Sequence, residues 1–270
     1  MKIKAKNQIF LMICILWAGL IKVHGQPDQF ATGNGEFQSF IMKYPERIKC
    51  SLIKMHPHYI VCKPSVIEVN TKLPLIIYLH GAGKRNATAE KLKGGVSPAK
   101  YWQEQEGEYP FIIVGPHSKG MWDLNDLELF FEHIKATLPV DLSRVYLTGY
   151  SMGGAGTWNW AQAKPEYFAA IAPLAGGIAA GGPKEISEDI DSWQKNLKDV
   201  PTWIIHGADD TTVPAERSEL MYQGLKEYKN KHVKLTILEG KGHAISGQYK
   251  AMPEIFDWFL SFKKENKFTK

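Results

Sequence analysis

Short apolar strands alternating with amphipathic helices predict an α/β fold: a mostly parallel central sheet with helices packed on both faces. Three observations carry that prediction. Apolar runs occur at 58–62, 73–79, 111–114, 145–148, 168–173, 203–205 and 233–238. Runs such as LPLIIYL (73–79) and FIIV (111–114) lack polar alternation, as expected of strands buried on both faces. Between the runs lie helical patterns, clearest at 126–136, where Leu127, Phe130, Phe131 and Ile134 fall on one stripe. The segments 153–163, 215–228 and 253–262 behave similarly. The alternation itself is the third observation, because parallel strands need crossovers and helices are the usual ones.

The remaining segments are placed around that frame. Residues 26–49 read as a polar, glycine-containing lead-in. Residues 176–200, rich in glycine and then in acids, interrupt the alternation and read as an insertion over the carboxyl edge of the sheet. Ligands bind at that edge in open α/β sheets. The chain has 270 residues, 44% hydrophobic and 23% charged, which suits one large domain over 26–270 with a core that needs no metal or disulfide.

Residues 1–25 read as a signal peptide rather than as part of the fold. Lys2, Lys4 and Lys6 precede an apolar run from Ile9 to Leu20, and Val23-His24-Gly25 offers a cleavage site. The run is short for a membrane span and a polar stretch follows at once. A secreted or periplasmic protein with no stable membrane association is the expectation, with an uncleaved anchor as the alternative. Removing the segment leaves 29 basic residues (33 less 4) against 28 acidic ones. A near-neutral protein has no electrostatic footprint for nucleic acid or anionic membrane. Cys14 leaves with the leader, and Cys50 and Cys62 remain in segments that read as a possible hairpin. Disulfide and free thiols stay equally open, since pairing is a matter of geometry.

The chemistry is concentrated in four loops. Tyr146 to Gly154 (YLTGYSMGG) places G-x-S-x-G between an apolar strand and a helix. A serine there sits on a tight strained turn, with Gly149 and Gly153 small enough to let strand and helix cross. The turn lifts the Ser151 hydroxyl above the sheet and aims the Met152 N–H, at the helix N-terminus, at a developing oxyanion. LHGAG (79–83) follows an early strand, where the second oxyanion donor of such sites is found. Ala82 is the expected donor and Gly83 the alternative; His80 is expected to shape the loop. The acid and base of such a site follow the serine in that order along the chain. His232 precedes a strand in a lysine-rich stretch, whereas His243 lies in the glycine loop EGKGH beyond the 233–238 strand and is the expected base. The acid lies in HGADDTTVP (206–214), where spacing leaves Asp209 and Asp210 as competitors. His206 is expected to be structural. No His/Asp/Cys cluster has metal-ligand spacing, so neither metal nor organic cofactor is expected.

These stretches, together with FAAIAPLAGG (168–177) and VKLTILEGKGHAISGQY (233–249), resemble the secreted α/β-hydrolases described as predicted peptidases, phospholipase/carboxylesterases and dienelactone-hydrolase-like esterases. Feruloyl and acetyl xylan esterases are their relatives. The resemblance implies an α/β-hydrolase fold, and its H-G-x-x-D-x-x-V-P pattern assigns the acid to Asp210. It also implies that Trp122, in GPHSKGMWD (115–123), walls the substrate pocket, with core packing the alternative. Dienelactone hydrolases use a cysteine nucleophile where this chain has Ser151, which argues against their lactone specificity. The implied activity is serine ester hydrolysis, removing acetyl or feruloyl groups from poly- or oligosaccharide. A small-peptide hydrolase and a catalytically dead carbohydrate-binding hydrolase fold are the alternatives.

Overall fold

The computed structural model describes residues 32–105, 107–179 and 182–265. The leader expected over 1–25 lies outside them. Among the described residues, eight strands form one sheet: β1 (Asn34–Lys43), β2 (Met55–Val66), β3 (Leu73–Leu79), β4 (Ile112–Ser118), β5 (Val140–Tyr150), β6 (Ala170–Leu174), β7 (Thr202–Gly207) and β8 (Val233–Leu238). Their spatial order is β1-β2-β4-β3-β5-β6-β7-β8. β2 runs antiparallel to β1 and β4, and every later pairing is parallel.

β3 shows why the sheet is buried on both sides. All seven of its residues are buried; Leu73, Leu75, Ile77 and Leu79 enter one core, Ile76 and Tyr78 the other. The first core lies under α4 (Leu124–Thr137) and α5 (Met152–Ala163), whose Phe130, Trp158 and Trp160 are fully buried. The second holds Trp203, Tyr249, Phe256 and Phe259. Each such large side chain contributes about 1.5–3 kcal/mol of burial free energy.

Three departures from the sequence reading are instructive. The lead-in contains β1, whose residues are mostly exposed at the sheet edge, so no buried run announces it. Cys50 lies just after the short helix α1 (Glu46–Lys49), not in a hairpin strand; β2 pairs instead with β1. Both thiols are free, Cys50 exposed and Cys62 buried against the Ser39 hydroxyl at 3.1 Å. The supposed insertion divides in two. Gly177, Ala179, Gly182 and Pro183 border a cavity at the sheet edge, but α6 (Ile190–Asn196) belongs to the crossover from β6 to β7 and packs with α5 and α7 (Glu216–Glu227).

Candidate active site

β5 ends at Tyr150 and α5 begins at Met152, leaving Ser151 on the elbow with φ 57° and ψ −117°. That conformation costs a non-glycine residue of order 1–3 kcal/mol and persists only where the surroundings enforce it. Here the Ser151 N–H donates to Leu174 O at 2.9 Å. A Cβ on Gly149 would collide with Gly153 O, and one on Gly153 with Leu79 O, so strand and helix cross only with glycine at both positions.

The loop after β8 delivers His243. Its Nε2 lies 2.7 Å from Ser151 Oγ and its Nδ1 2.7 Å from Asp210 Oδ2. The loop is tied down on both sides: Asp209 N–H donates to Lys241 O, and the Tyr150 hydroxyl donates to His243 O at 2.8 Å. Gly207, at the end of β7, gives the loop room, because a Cβ there would strike Lys241 O and Gly242 O.

Asp210 faces inward with little exposure, whereas Asp209 is exposed and its side chain takes no part. Asp210 Oδ1 accepts the Thr212 and Val213 N–H groups, each at 2.9 Å. Burial pushes the Asp210 carboxyl up, but the His243 hydrogen bond, the two amides and the His243 charge outweigh it, and the group ends below the usual carboxylate range. His206 completes the cradle. Its Nε2–H points at Val213 O (2.9 Å) and Asp210 Oδ2 (3.2 Å), and its Nδ1 meets the Ser218 hydroxyl at 2.6 Å. Burial lowers the His206 pKa despite those acceptors, so the ring is neutral and serves as a prop. Tyr150 and Ser218 are supports that sequence reading missed; only Tyr150, beside the serine in the motif, carried any signal.

A cavity of about 270 Å³ opens over Ser151, with Ala82 and Met152 on its wall. Met121, Ala155 and Val213 make its lining mainly apolar. The Met152 N–H is the first orphan donor of α5, and Ala82 opens a 3₁₀ turn, Ala82–Lys84, after β3. Two amide-bearing residues thus flank the serine. Trp122 requires correction: it is buried, packs over Gly156 of α5, and its indole N–H donates to His80 O at 3.3 Å. It backs the loop from inside, and its neighbour Met121 reaches the cavity instead. A large ring packed into the core beneath the wall cannot also line the wall.

A mostly parallel sheet whose β3 sits between β4 and β5, an antiparallel second strand and a serine at the β5–α5 elbow define the α/β-hydrolase fold, and the chain adopts it. Residues 127–258 match the model of the phospholipase/carboxylesterase family. A Salmonella typhimurium protein assigned as a carboxymethylenebutenolidase is 29% identical over 170 residues, covering 57% of this chain and 58% of that protein. A bifunctional acetylxylan esterase/xylanase of Neocallimastix patriciarum is 25% identical over 179 residues, covering 63% of this chain and 23% of that one. The crystal structure of a thermostable esterase superposes with a TM-score of 0.64 at 24% identity, over 85% of this chain and 64% of the other. The chain therefore spans a little over half, or less, of the length of these curated relatives.

Proposed function

We propose that this chain is an exported serine carboxylic ester hydrolase that acts through Ser151, His243 and Asp210. The observation that carries the reading is the continuous hydrogen-bonded array from Ser151 Oγ through His243 to Asp210, both links 2.7 Å. His243 Nε2 takes the serine proton as Oγ attacks the ester carbonyl, and the Oγ–C bond forms while the carbonyl π pair moves to oxygen. The Met152 and Ala82 amides receive that oxyanion. Asp210 holds the ring with Nδ1 protonated and stabilises the imidazolium. As the tetrahedral intermediate collapses, His243 returns the proton to the departing alcohol. Water then repeats the sequence on the acyl-serine, releasing the acid.

The substrate class proposed is an acyl ester, acetyl or feruloyl, on a poly- or oligosaccharide. Three things support it: the leader expected over 1–25, the small apolar cavity beside Ser151, and a relative named for acetylxylan ester cleavage.

One preparation tests the reading. Protein recovered from an exporting host should begin near Gln26, take one fluorophosphonate per chain, and release acetate or ferulate from acylated xylan oligosaccharides. Ser151→Ala should lose the label and at least about a thousandfold in turnover. A Ser151→Ala variant retaining a tenth of the wild-type rate would remove Ser151 from its role. Intact Lys2–Lys6 in the mature protein would overturn the export assignment.

A further inference from the structure

Four of the nine histidines converge behind the loop that follows β3. His80 Nδ1–H donates to Gly81 O at 2.9 Å, while its Nε2 accepts the Ser118 N–H at 3.0 Å. From β4, His117 Nε2–H donates to Lys84 O at 2.9 Å. From β2, His56 Nε2–H donates to Arg85 O at 3.1 Å. Carbonyl oxygens only accept, so the protonated nitrogen of each ring is fixed. The neutral His117 ring then has a bare Nδ1, which accepts from His58 Nε2–H at 2.9 Å. His56 stacks on His117 with ring centres 4.0 Å apart and planes inclined by 22°. Both β2 histidines come from the stretch where the register of β2 with β4 shifts, between Met55 and Tyr59.

The loop so gripped needs outside support. It is a single 3₁₀ turn closed by two bonds of 3.1 Å, Lys84 N–H to Gly81 O and Arg85 N–H to Ala82 O, and such turns are intrinsically weak. We infer that His56, His58 and His117 are positioning residues for the oxyanion site: by holding the Lys84 and Arg85 carbonyls they fix the turn, and with it the direction of the Ala82 amide. This inference rests on the reading of Ser151 and Ala82 proposed above. The chemistry asks for such a device. An oxyanion donor acts only if it is already aimed, and a displacement of about 1 Å can cost about a hundredfold in rate. Burial keeps the His117 ring neutral, the state in which Nδ1 can accept while Nε2–H donates. The groups acting on His58 are His56 and Lys43; those on His117 are His56, His58 and the Lys84 and Arg85 carbonyls; no carboxylate is among them. Burial holds His117 at about 4, so its Nδ1 stays free to accept from His58.

The test compares His117→Phe, which keeps a ring but loses both hydrogen bonds, with His117→Gln, whose side-chain N–H can still reach Lys84 O. Rates are normalised to the fluorophosphonate-reactive fraction, so misfolded protein is not counted. On p-nitrophenyl acetate, kcat should fall about tenfold to a hundredfold in the Phe variant with KM within about twofold, and Gln should restore most of it. The discriminating readout is the rate ratio of an ester to its thionoester. An oxyanion site favours oxygen over sulfur, so a mis-aimed amide lowers that ratio, whereas loss of folded protein scales both rates equally. The ratio should fall in His117→Phe and recover in His117→Gln. Should His117→Phe not fold, His56→Leu, at a half-buried ring, reads the same ratio. A fully labelled variant with an unchanged ratio overturns the inference. A wild-type protein that neither labels nor cleaves any ester instead refutes the reading of the site, and the inference falls with it.

Discussion

Two adjacent aspartates at the end of β7 differ in every physical respect that matters. Asp210 accepts two backbone amides on one oxygen and His243 on the other, and it is buried; Asp209 is exposed. Converting a buried carboxylate in this position to its amide inverts the hydrogen-bond demand on His243 Nδ1 and favours the wrong tautomer. Asp210→Asn should therefore lower kcat by about ten-thousandfold. Asp209→Asn, a surface change with an expected stability effect of about half a kcal/mol, should retain most activity. Ester turnover of both variants, with thermal melts to establish folding, decides the matter. A dead Asp209→Asn beside an active Asp210→Asn would move the acid by one residue. The spacing in HGADDTTVP does not separate the pair, because consecutive residues in a turn differ in direction and direction is set by what the turn packs against.

At the scale of elements, the site depends on how β2 is anchored. Asp126, in the first turn of α4, is fully buried. Its carboxylate accepts three backbone N–H groups at the entry to β2: Ile53 (2.8 Å) and Lys54 (2.7 Å) just before the strand, and Met55 (2.7 Å) as its first residue. This one side chain joins helix to strand immediately before His56. Asp126→Asn would turn an NH₂ toward amide donors and leave buried polar groups unmatched, costing about 1–3 kcal/mol. Urea melts should show that loss as a lower midpoint at unchanged slope. An unchanged midpoint would mean that water or a local shift replaces the bonds. Nothing in the sequence singles out Asp126, which looks like one more acid near a helix start. Its role exists only because α4 lies across the start of β2.

For the whole molecule, acid stability follows from groups that the fold keeps neutral. Burial lowers both His80 and His117 to about 4 from an ordinary value of 6.5, although the Gly81 and Lys84 carbonyls pull the other way. The unfolded chain therefore binds more protons than the folded one between about pH 6.5 and 4, and stability falls as pH is lowered through that window. Below about 4 these rings are protonated in both states and add no further loss. Asp210 acts later. Its depressed pKa makes a contribution that is present above the ordinary carboxylate range and is lost as pH falls below it. Urea midpoints should drop between about pH 7 and pH 4.5, and His117→Phe should flatten that drop. Equal wild-type midpoints at the two pH values would show that the rings are not held neutral.

The sequence by itself determined the α/β class, the placement of seven of the eight strands, the elbow around Ser151 and the loops bearing its candidate partners. Those features are local: apolar runs record burial on both faces, and paired glycines record a crossing that only they permit. Tertiary structure decided the rest. It brought His243 and Asp210 to Ser151 across 92 and 59 positions of chain, put Met121 rather than Trp122 on the cavity, left Cys50 and Cys62 unpaired, and gathered His56, His58 and His117 from two strands onto one turn. Such facts are vectors between distant segments. A sequence records which side chains are available, but only the packing of one element on another fixes where each one points.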